Sequence, residues 1–516
     1  MPQPKWYGKS LSALCMENIV DNMEKWTALR SSEDVSCHFF HLPSHCLEYM
    51  TKCLLKDYYW ITQDMFDLLL SPHMKVLDLS QFYLGTGRVA NRNLCIFRLA
   101  SDRCLQLTTL KIHDGWGFFF DGNRNFEVEE AFASILQRFE HLQILDLSST
   151  IYGACCMLKL GSTCKPKIKE LLVDCCPGVT DSVVEVCCNG QSSLQKLSVR
   201  RTEVTHSGIR FAIEHLPELK ELICDNESDI LKAFRRIRTE TRESNKYSLY
   251  HWFCTQPQPY KKGSVSLMVD MCPSIVYLSL SVNDEGFTDE ELLGFRELKQ
   301  LKLFRIGKSF MPLVSIRGGV IPLLQARGLT LESLYLSMGV TSEEVYLIVE
   351  SCPKIRHLQL VIKSTDLETP EPVDDRVHSS LCSPKEVIPL RMLEEISLSS
   401  LASYFPPFAI SRKLLLLFLS SPTLTEISIK NCSTLDDQII KEACARNSFK
   451  YLTKLWLFGC SNVSQKGIDF FLNETNPLDD IWIHNCGNVN FDRLEMMIEE
   501  KHWNLGICSS SPSSSD

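Results

Sequence analysis

The sequence predicts an α/β fold, a leucine-rich-repeat solenoid with parallel strands on a concave face, helices on a convex face and an N-terminal helical cap. Three observations predict it. A segment of the form L-x-x-L-x-L recurs from Met74-Lys75-Val76-Leu77-Asp78-Leu79 to Leu478-Asp479-Asp480-Ile481-Trp482-Ile483. Its best-spaced copies begin at Leu142, Ile168, Leu194 and Leu219, and again at Leu424, Leu452 and Leu478, a period of about 25 to 28 residues that suits this repeat class. Between copies the apolar residues fall at helical rather than alternating intervals.

Each element follows from its residues. In L-x-x-L-x-L, alternate side chains of a short strand point to opposite faces, so the leucines can enter one core. Cys460-Ser461-Asn462-Val463-Ser464-Gln465-Lys466-Gly467-Ile468 shows what comes next: a cysteine ends the strand, a serine can cap a helix, and apolar residues at helical spacing follow. Val179-Thr180-Asp181-Ser182-Val183-Val184 and Leu435-Asp436-Asp437-Gln438-Ile439-Ile440 repeat the theme. These segments resemble the cysteine-containing class of leucine-rich repeat. Repeats that pack only on their neighbours allow a domain of this length, so residues 71–505 are expected to form one solenoid behind a cap over residues 1–70.

Two stretches break the rhythm. Residues 225–263 carry Lys232, Arg235, Arg236, Arg238, Arg242, Lys246, Lys261 and Lys262 without a clear copy, and read either as a degenerate repeat or as an insertion. With Glu240 and Glu243 interleaved, the basic run fits a solvated helix face, the other reading being a contact for an acidic partner. Residues 363–387 include Thr369-Pro370-Glu371-Pro372-Val373-Asp374-Asp375, the composition of a flexible loop, and the serine-rich tail 506–516 is expected to be disordered.

Hydrophobic content of 44% and charged content of 23% allow a large buried core. A formal charge of −9 argues against a general nucleic-acid binder. The 23 cysteines, an odd number with no secretory signal ahead of them, predict reduced thiols in a cytoplasmic or nuclear protein. The longest apolar run, Leu414 to Leu419, is too short to span a bilayer. Cys37, His38, His41, His45 and Cys46 form a dense group of soft ligands, but their spacing matches no common zinc site, so no metal and no cofactor are expected. Lone glycine pairs such as Gly85-Thr86-Gly87 lack the setting a nucleotide fold needs, and no nucleophile elbow or kinase signature appears. The expected role is therefore non-catalytic.

The N-terminal segment is more specific. Leu11, Leu14, Cys15, Ile19, Met23 and Trp26 recur at steps of three and four, so one helix from about Ser10 would gather them on one apolar face. That face needs a cover, either the rest of the cap or a partner's groove. The pattern Ser10-Leu11-x-x-x-Cys15-x-x-x-Ile19 resembles the elongin-binding box of cullin-ligase receptors, over residues 10–19. Further on, Leu42-Pro43-Ser44-His45-Cys46-Leu47-Glu48-Tyr49-Met50 resembles the Cullin-2 box, over residues 42–50. Pro43 would open a helix there, where a missing N–H is tolerated, and Cys46, Leu47 and Met50 would face inward.

Both boxes, ahead of leucine-rich repeats, resemble the Zyg and Zer family of Cullin-2 substrate receptors. The resemblance implies elongin B/C bound through Ser10, Leu11, Cys15 and Ile19. It likewise implies a Cullin-2 RING module at Leu42, Pro43, Cys46, Leu47 and Met50, and a protein substrate on the repeats. Two departures stand out: Cys46 replaces the larger aliphatic usual after the proline, and strand motifs run through Ile483 where the family carries armadillo-type repeats that read N-terminal glycine degrons. Glycine-degron recognition is therefore not expected. The leucine-proline start also resembles an F-box, which would instead bind a Skp adaptor, and a non-ligase interaction scaffold stays open. Outward positions between the leucines offer Tyr277, Phe304, Tyr335, Trp456 and Trp482 as substrate contacts, among Lys196, Arg200, Lys302 and Lys430. Trp456 and Trp482 would lie side by side on strands about 4.8 Å apart. A C-terminal cap folding over them is the competing expectation.

Overall fold

The repeated L-x-x-L-x-L segments become short parallel strands whose alternate apolar residues, such as Leu77 and Leu79 or Leu455 and Leu457, are buried in the core. The structure is a computed structural model that describes residues 10–29, 39–57, 62–80, 88–113, 126–162, 166–225, 227–240, 245–256, 260–282, 286–307, 313–363, 390–400, 407–472, 478, 480–486, 489–494 and 496. The acidic loop from residue 364 on, Cys37, His38, Arg242 and the serine-rich tail lie outside the described residues.

The chain forms two units. One comprises Lys9–His251 with Asp270–Ser274; the other consists chiefly of Trp252–Val269 and Ile275–Asp516. In the first, β1 (Val76–Leu79), β2 (Thr109–Ile112), β3 (Ile144–Asp146), β4 (Glu170–Leu172), β5 (Lys196–Ser198) and β6 (Glu221–Ile223) form a sheet in sequence order, all parallel. Its helices are α1 (Leu11–Asp21), α2 (Met23–Ala28), α3 (Ser44–Asp57), α4 (Gln63–Leu69), α5 (Arg88–Arg103), α6 (Phe126–Leu136), α7 (Gly153–Ser162), α8 (Asp181–Gly190), α9 (His206–His215) and α10 (Glu227–Glu240). Strand following helix following strand in order, with all neighbours parallel, is a leucine-rich-repeat solenoid.

The second sheet runs β7 (His251–Gln256), β8 (Tyr277–Val282), β9 (Leu303–Ile306), β10 (Ser333–Val340), β11 (His357–Ile362), β12 (Glu395–Ser400), β13 (Glu426–Lys430), β14 (Lys454–Phe458) and β15 (Asp480–His484), again in sequence order. Between these strands lie α11 (Ser264–Met271), α12 (Asp289–Leu293), α13 (Ile321–Arg327), α14 (Ser342–Ser351), α15 (Arg412–Leu419), α16 (Asp437–Arg446) and α17 (Gln465–Phe471). The irregular segment 225–263 holds α10 and β7. Ile230, Leu231, Phe234 and Ile237 of α10 are buried at helical spacing, and its basic face is laced by Lys232 with Asp229 and Arg238 with Asp270.

The sheet register corrects one sequence reading. Phe304 is fully buried, not outward. Leu298-x-x-Leu301-x-Leu303 and Leu301-x-x-Phe304-x-Ile306 both fit the repeat pattern, and the strand uses the second, pairing Phe304 with Leu278 and Leu334 in the core row. A one-residue change of phase moves every side chain to the other face. Leu303 and Arg305 therefore occupy the outward positions of β9.

Side chains tie each repeat to the next. The carboxylate of Asp437, in the first turn of α16, accepts from the Ser464 N–H at 2.8 Å and from the Ser464 hydroxyl, and Ser464 in turn accepts from Lys466 at the start of α17. Asp181 holds Thr205 in the same way at 2.7 and 2.6 Å, and Asp289 holds Ser315 at 2.8 Å through both N–H and hydroxyl. Asp437→Ala is expected to lower stability by about 1–2 kcal/mol, since it removes a helix cap's own anchor. A urea denaturation midpoint unchanged by this substitution would refute the coupling.

The described cysteines are all free, and many line the repeat cores. The thiols of Cys460 and Cys486 face the carbonyls of Ile429 and Leu457 at 3.7 and 3.8 Å. At the equivalent Cys432, burial pushes the thiol up to about 11, which keeps it protonated and unreactive.

Candidate partner-binding surfaces

The cap is built from two parts with different exposure. Leu47, Met50 and Leu54 of α3, with Met65, Phe66, Leu68 and Leu69 of α4, are buried and close the first repeat. Within the sheet, paired N–H groups entering each strand donate to one carbonyl of the preceding repeat: Gln143 and Ile144 to Thr108, Lys169 and Glu170 to Gln143. Among the described residues no strand precedes β1, and α3 supplies the missing acceptors. Lys75 N–H donates to Ser44 Oγ at 3.0 Å, and Val76 N–H to Glu48 Oε1 at 3.1 Å, with Ser44 and Glu48 hydrogen-bonded to each other. The sheet edge is thus sealed by two side chains. Pro43 immediately precedes this helix, its carbonyl accepting from Cys46 and Leu47.

α1 lies outside this closure. Ser10 caps it, its hydroxyl accepting from Ala13 N–H at 3.1 Å. The helix is fastened to α3 by Tyr49 Oη donating to Glu17 Oε1 at 2.7 Å, a bond that pushes the phenol's pKa up and keeps it a donor. The single helix expected from Ser10 to Trp26 breaks at Asn22, whose backbone leaves the helical region. The apolar stripe is therefore divided. Val20 and Met23 are buried, and Trp26 packs edge-on against Phe39 at 6.1 Å. Leu11 is 79% exposed, Leu14 51% exposed, Cys15 exposed and Ile19 half-buried.

The second box fares differently. Leu42 and Cys46 are half-buried and Pro43 is exposed, but Leu47 and Met50 are fully enclosed in the cap. Those two face inward, as the helix pattern predicts, and offer no surface to a cullin. The correction is that only Leu42, Pro43 and Cys46 remain accessible to one. His41 and His45 are exposed, and no group of three or more metal-binding side chains occurs among the described residues.

On the second sheet the outward side chains form rows across the strands. The first row runs Tyr277, Leu303, Ser333, His357, Glu395, Glu426, Lys454, Asp480; the next runs Ser279, Arg305, Tyr335, Gln359, Ser397, Ser428, Trp456, Trp482. A further row ends in Lys430, Phe458 and His484. Tyr277, Tyr335, Trp456 and Trp482 thus share the outward face, Tyr277 one row apart from the others. The two indoles meet edge to face, with centroids 6.5 Å apart and planes at 63°, rather than side by side. Trp456 Nε1 donates to Asp480 Oδ2 at 3.2 Å, which fixes its ring. Arg305 lies over the Tyr335 ring at 4.4 Å and Lys430 over Phe458 at 5.1 Å. Lys302, just ahead of β9, pairs with Glu332 at 2.9 Å; on the first sheet Lys196 pairs with Glu221 at 3.1 Å and Arg200 with Asp174 at 2.8 Å. Sequence reasoning missed Arg305, which the phase of the strand places beside Tyr335.

No family model matches the chain, and no curated protein matches it. Among solved structures it is similar to the crystal structure of the Rad7 and Elc1 complex in yeast, at 14% identity, over 89% of this chain and 96% of that chain, with a TM-score of 0.47. No helix among the described residues is long and apolar enough to cross a membrane.

Proposed function

We propose that this chain is the substrate-recognition subunit of a cullin-RING ubiquitin ligase, joining elongin B/C and Cullin-2 to a protein substrate held on the repeats. One observation carries the reading. The cap completes its seal over β1 with α3 and α4, yet the N-terminal half of α1 presents Leu11, Leu14 and Cys15 to solvent. Leu11 and Cys15 are among the four residues that the resemblance to the elongin-binding box singles out, and Ile19 is half-buried beside them. A helix with an unpartnered apolar ridge suits insertion into a partner's groove. Leu11 would be the knob, Cys15 small enough for close approach, and Ile19 the edge of the contact. Leu42, Pro43 and Cys46 would meet the cullin.

In this role the chain supplies no reacting group and acts in the cytoplasm or nucleus. It promotes ubiquitin transfer by holding a substrate lysine near a charged partner enzyme, a gain in effective concentration. The test is copurification of the full chain with elongins B and C, Cullin-2 and Cullin-5, and a Skp adaptor. Recovery of elongins with Cullin-2 supports the reading. Recovery of the Skp adaptor instead, or of none of these, overturns it.

A further inference from the structure

The outward face of β11 to β15 is uneven in both charge and height. In its first row Glu395, Glu426 and Asp480 stand against a single ammonium, Lys454, which pairs with Glu426. Asp480 accepts from Trp456, and Glu395 has His357 Nε2 at 3.6 Å as its neighbour from the adjacent strand. Burial pushes the Glu395 carboxyl up; His357 and Lys454 oppose this and Glu426 and Glu394 reinforce it, so a facing cation would be welcome. In the second row Ser397 and Ser428 are short, while Trp456 and Trp482 beyond them are tall. Two serines on adjacent strands, bounded by Gln359 on one side and Trp456 on the other, form a trough between strands about 14 Å apart. Its carboxylate edge is Glu395 and Glu426.

We propose that this trough receives an arginine or lysine side chain from an extended protein segment, the aliphatic stem lying against Trp456 and the charge facing Glu395 and Glu426. Charge complementarity selects the occupant: a carboxylate edge with an aromatic wall suits a long basic side chain, which buries its methylenes while its head meets acceptors. The Trp456 ring is already held by Asp480, so little side-chain freedom is lost on binding. The inference rests on the receptor reading only in naming this segment as the recognition element of a substrate. Elongin copurification decides that reading independently of anything measured at the trough.

The test uses the full chain as bait for a phage-displayed library of random twelve-residue peptides, followed by titration of the selected peptides. Wild type is expected to enrich peptides with arginine or lysine beside an apolar residue. Their affinity should fall about tenfold or more in Glu395→Gln/Glu426→Gln, the effect of losing charge-assisted contacts. Ser428→Trp, which fills the trough without changing charge, should abolish binding. Lys111→Ala, on the other sheet, should leave it unchanged. Both trough variants alter outward side chains, and their melting curves should match wild type. Enrichment of acidic or neutral peptides, no enrichment, or affinity indifferent to Glu395→Gln/Glu426→Gln and Ser428→Trp would overturn the proposal. Should wild type recover elongins yet enrich no basic peptide, the trough fails and the receptor reading stands.

Discussion

Leu11→Ala/Cys15→Ala is expected to abolish recovery of elongins B and C while leaving the melting curve of the chain where it was. The two halves of this expectation have separate causes. Leu11 is 79% exposed and Cys15 is exposed, so truncating them removes almost no buried surface. Surface changes of that kind stay within about 0.5 kcal/mol of wild type. An anchor at the centre of an interface behaves differently. Losing it costs about 2 kcal/mol or more, a thirtyfold weakening that removes a complex from a wash-limited pull-down. Met50→Ala supplies the contrast, because Met50 is fully enclosed in the same cap. It should cost about 2–5 kcal/mol of stability, so any elongin loss there would come with an earlier melt. If the double substitution at Leu11 and Cys15 also lowered the melting temperature by several degrees, α1 would be a structural element. Unchanged elongin recovery in a stable double variant would place the contact elsewhere.

The repeat frame was legible because its signal is local and redundant. A strand with buried leucines must alternate, and a chain that returns to the same alternation at a fixed interval must stack. Where two frames overlap, local pattern stops deciding. Leu298, Leu301 and Leu303 look as good as Leu301, Phe304 and Ile306, and only pairing with Leu278 and Leu334 on the neighbouring strands selects the second. In residues 225–263 the basic run does lie on a helix face, as its interleaved glutamates suggested, with Ile230, Leu231, Phe234 and Ile237 buried at helical spacing beneath it. In the cap, the sequence identified the apolar ridge of α1 but not its division at Asn22, since nothing in the composition says which half will be covered. The roles of Ser44 and Glu48 were beyond reach. They replace a carbonyl that exists only when another strand precedes, which is a property of the assembled sheet.

Gly161→Ala is expected to destabilise the first unit by about 3 kcal/mol, against the usual preference of helices for alanine. A Cβ at Gly161, near the end of α7, would lie 2.1 Å from the Val186 carbonyl oxygen of α8, and one at Gly190 would lie 2.3 Å from the Gly161 oxygen. Both obstacles are backbone, so no side chain can swing aside. The helices must separate instead, and their separation disturbs more than packing. Buried Gln191, just past α8, donates from Nε2 to the Leu160 carbonyl at 3.0 Å and accepts from Ile168 N–H at 2.9 Å, closing the end of α7 and positioning the chain that enters β4. Moving α8 away would strain both bonds, and a buried amide left unpaired costs about 1–3 kcal/mol. Alanine's better helix propensity returns only about 1 kcal/mol of this. Because a single displacement relieves both clashes, Gly161→Ala and Gly190→Ala should be less than additive in combination. Chemical denaturation of the two single variants and the double decides it. An unchanged or higher midpoint for Gly161→Ala would mean that the helices do not meet backbone to backbone. Strict additivity would mean that the two glycines answer to different contacts.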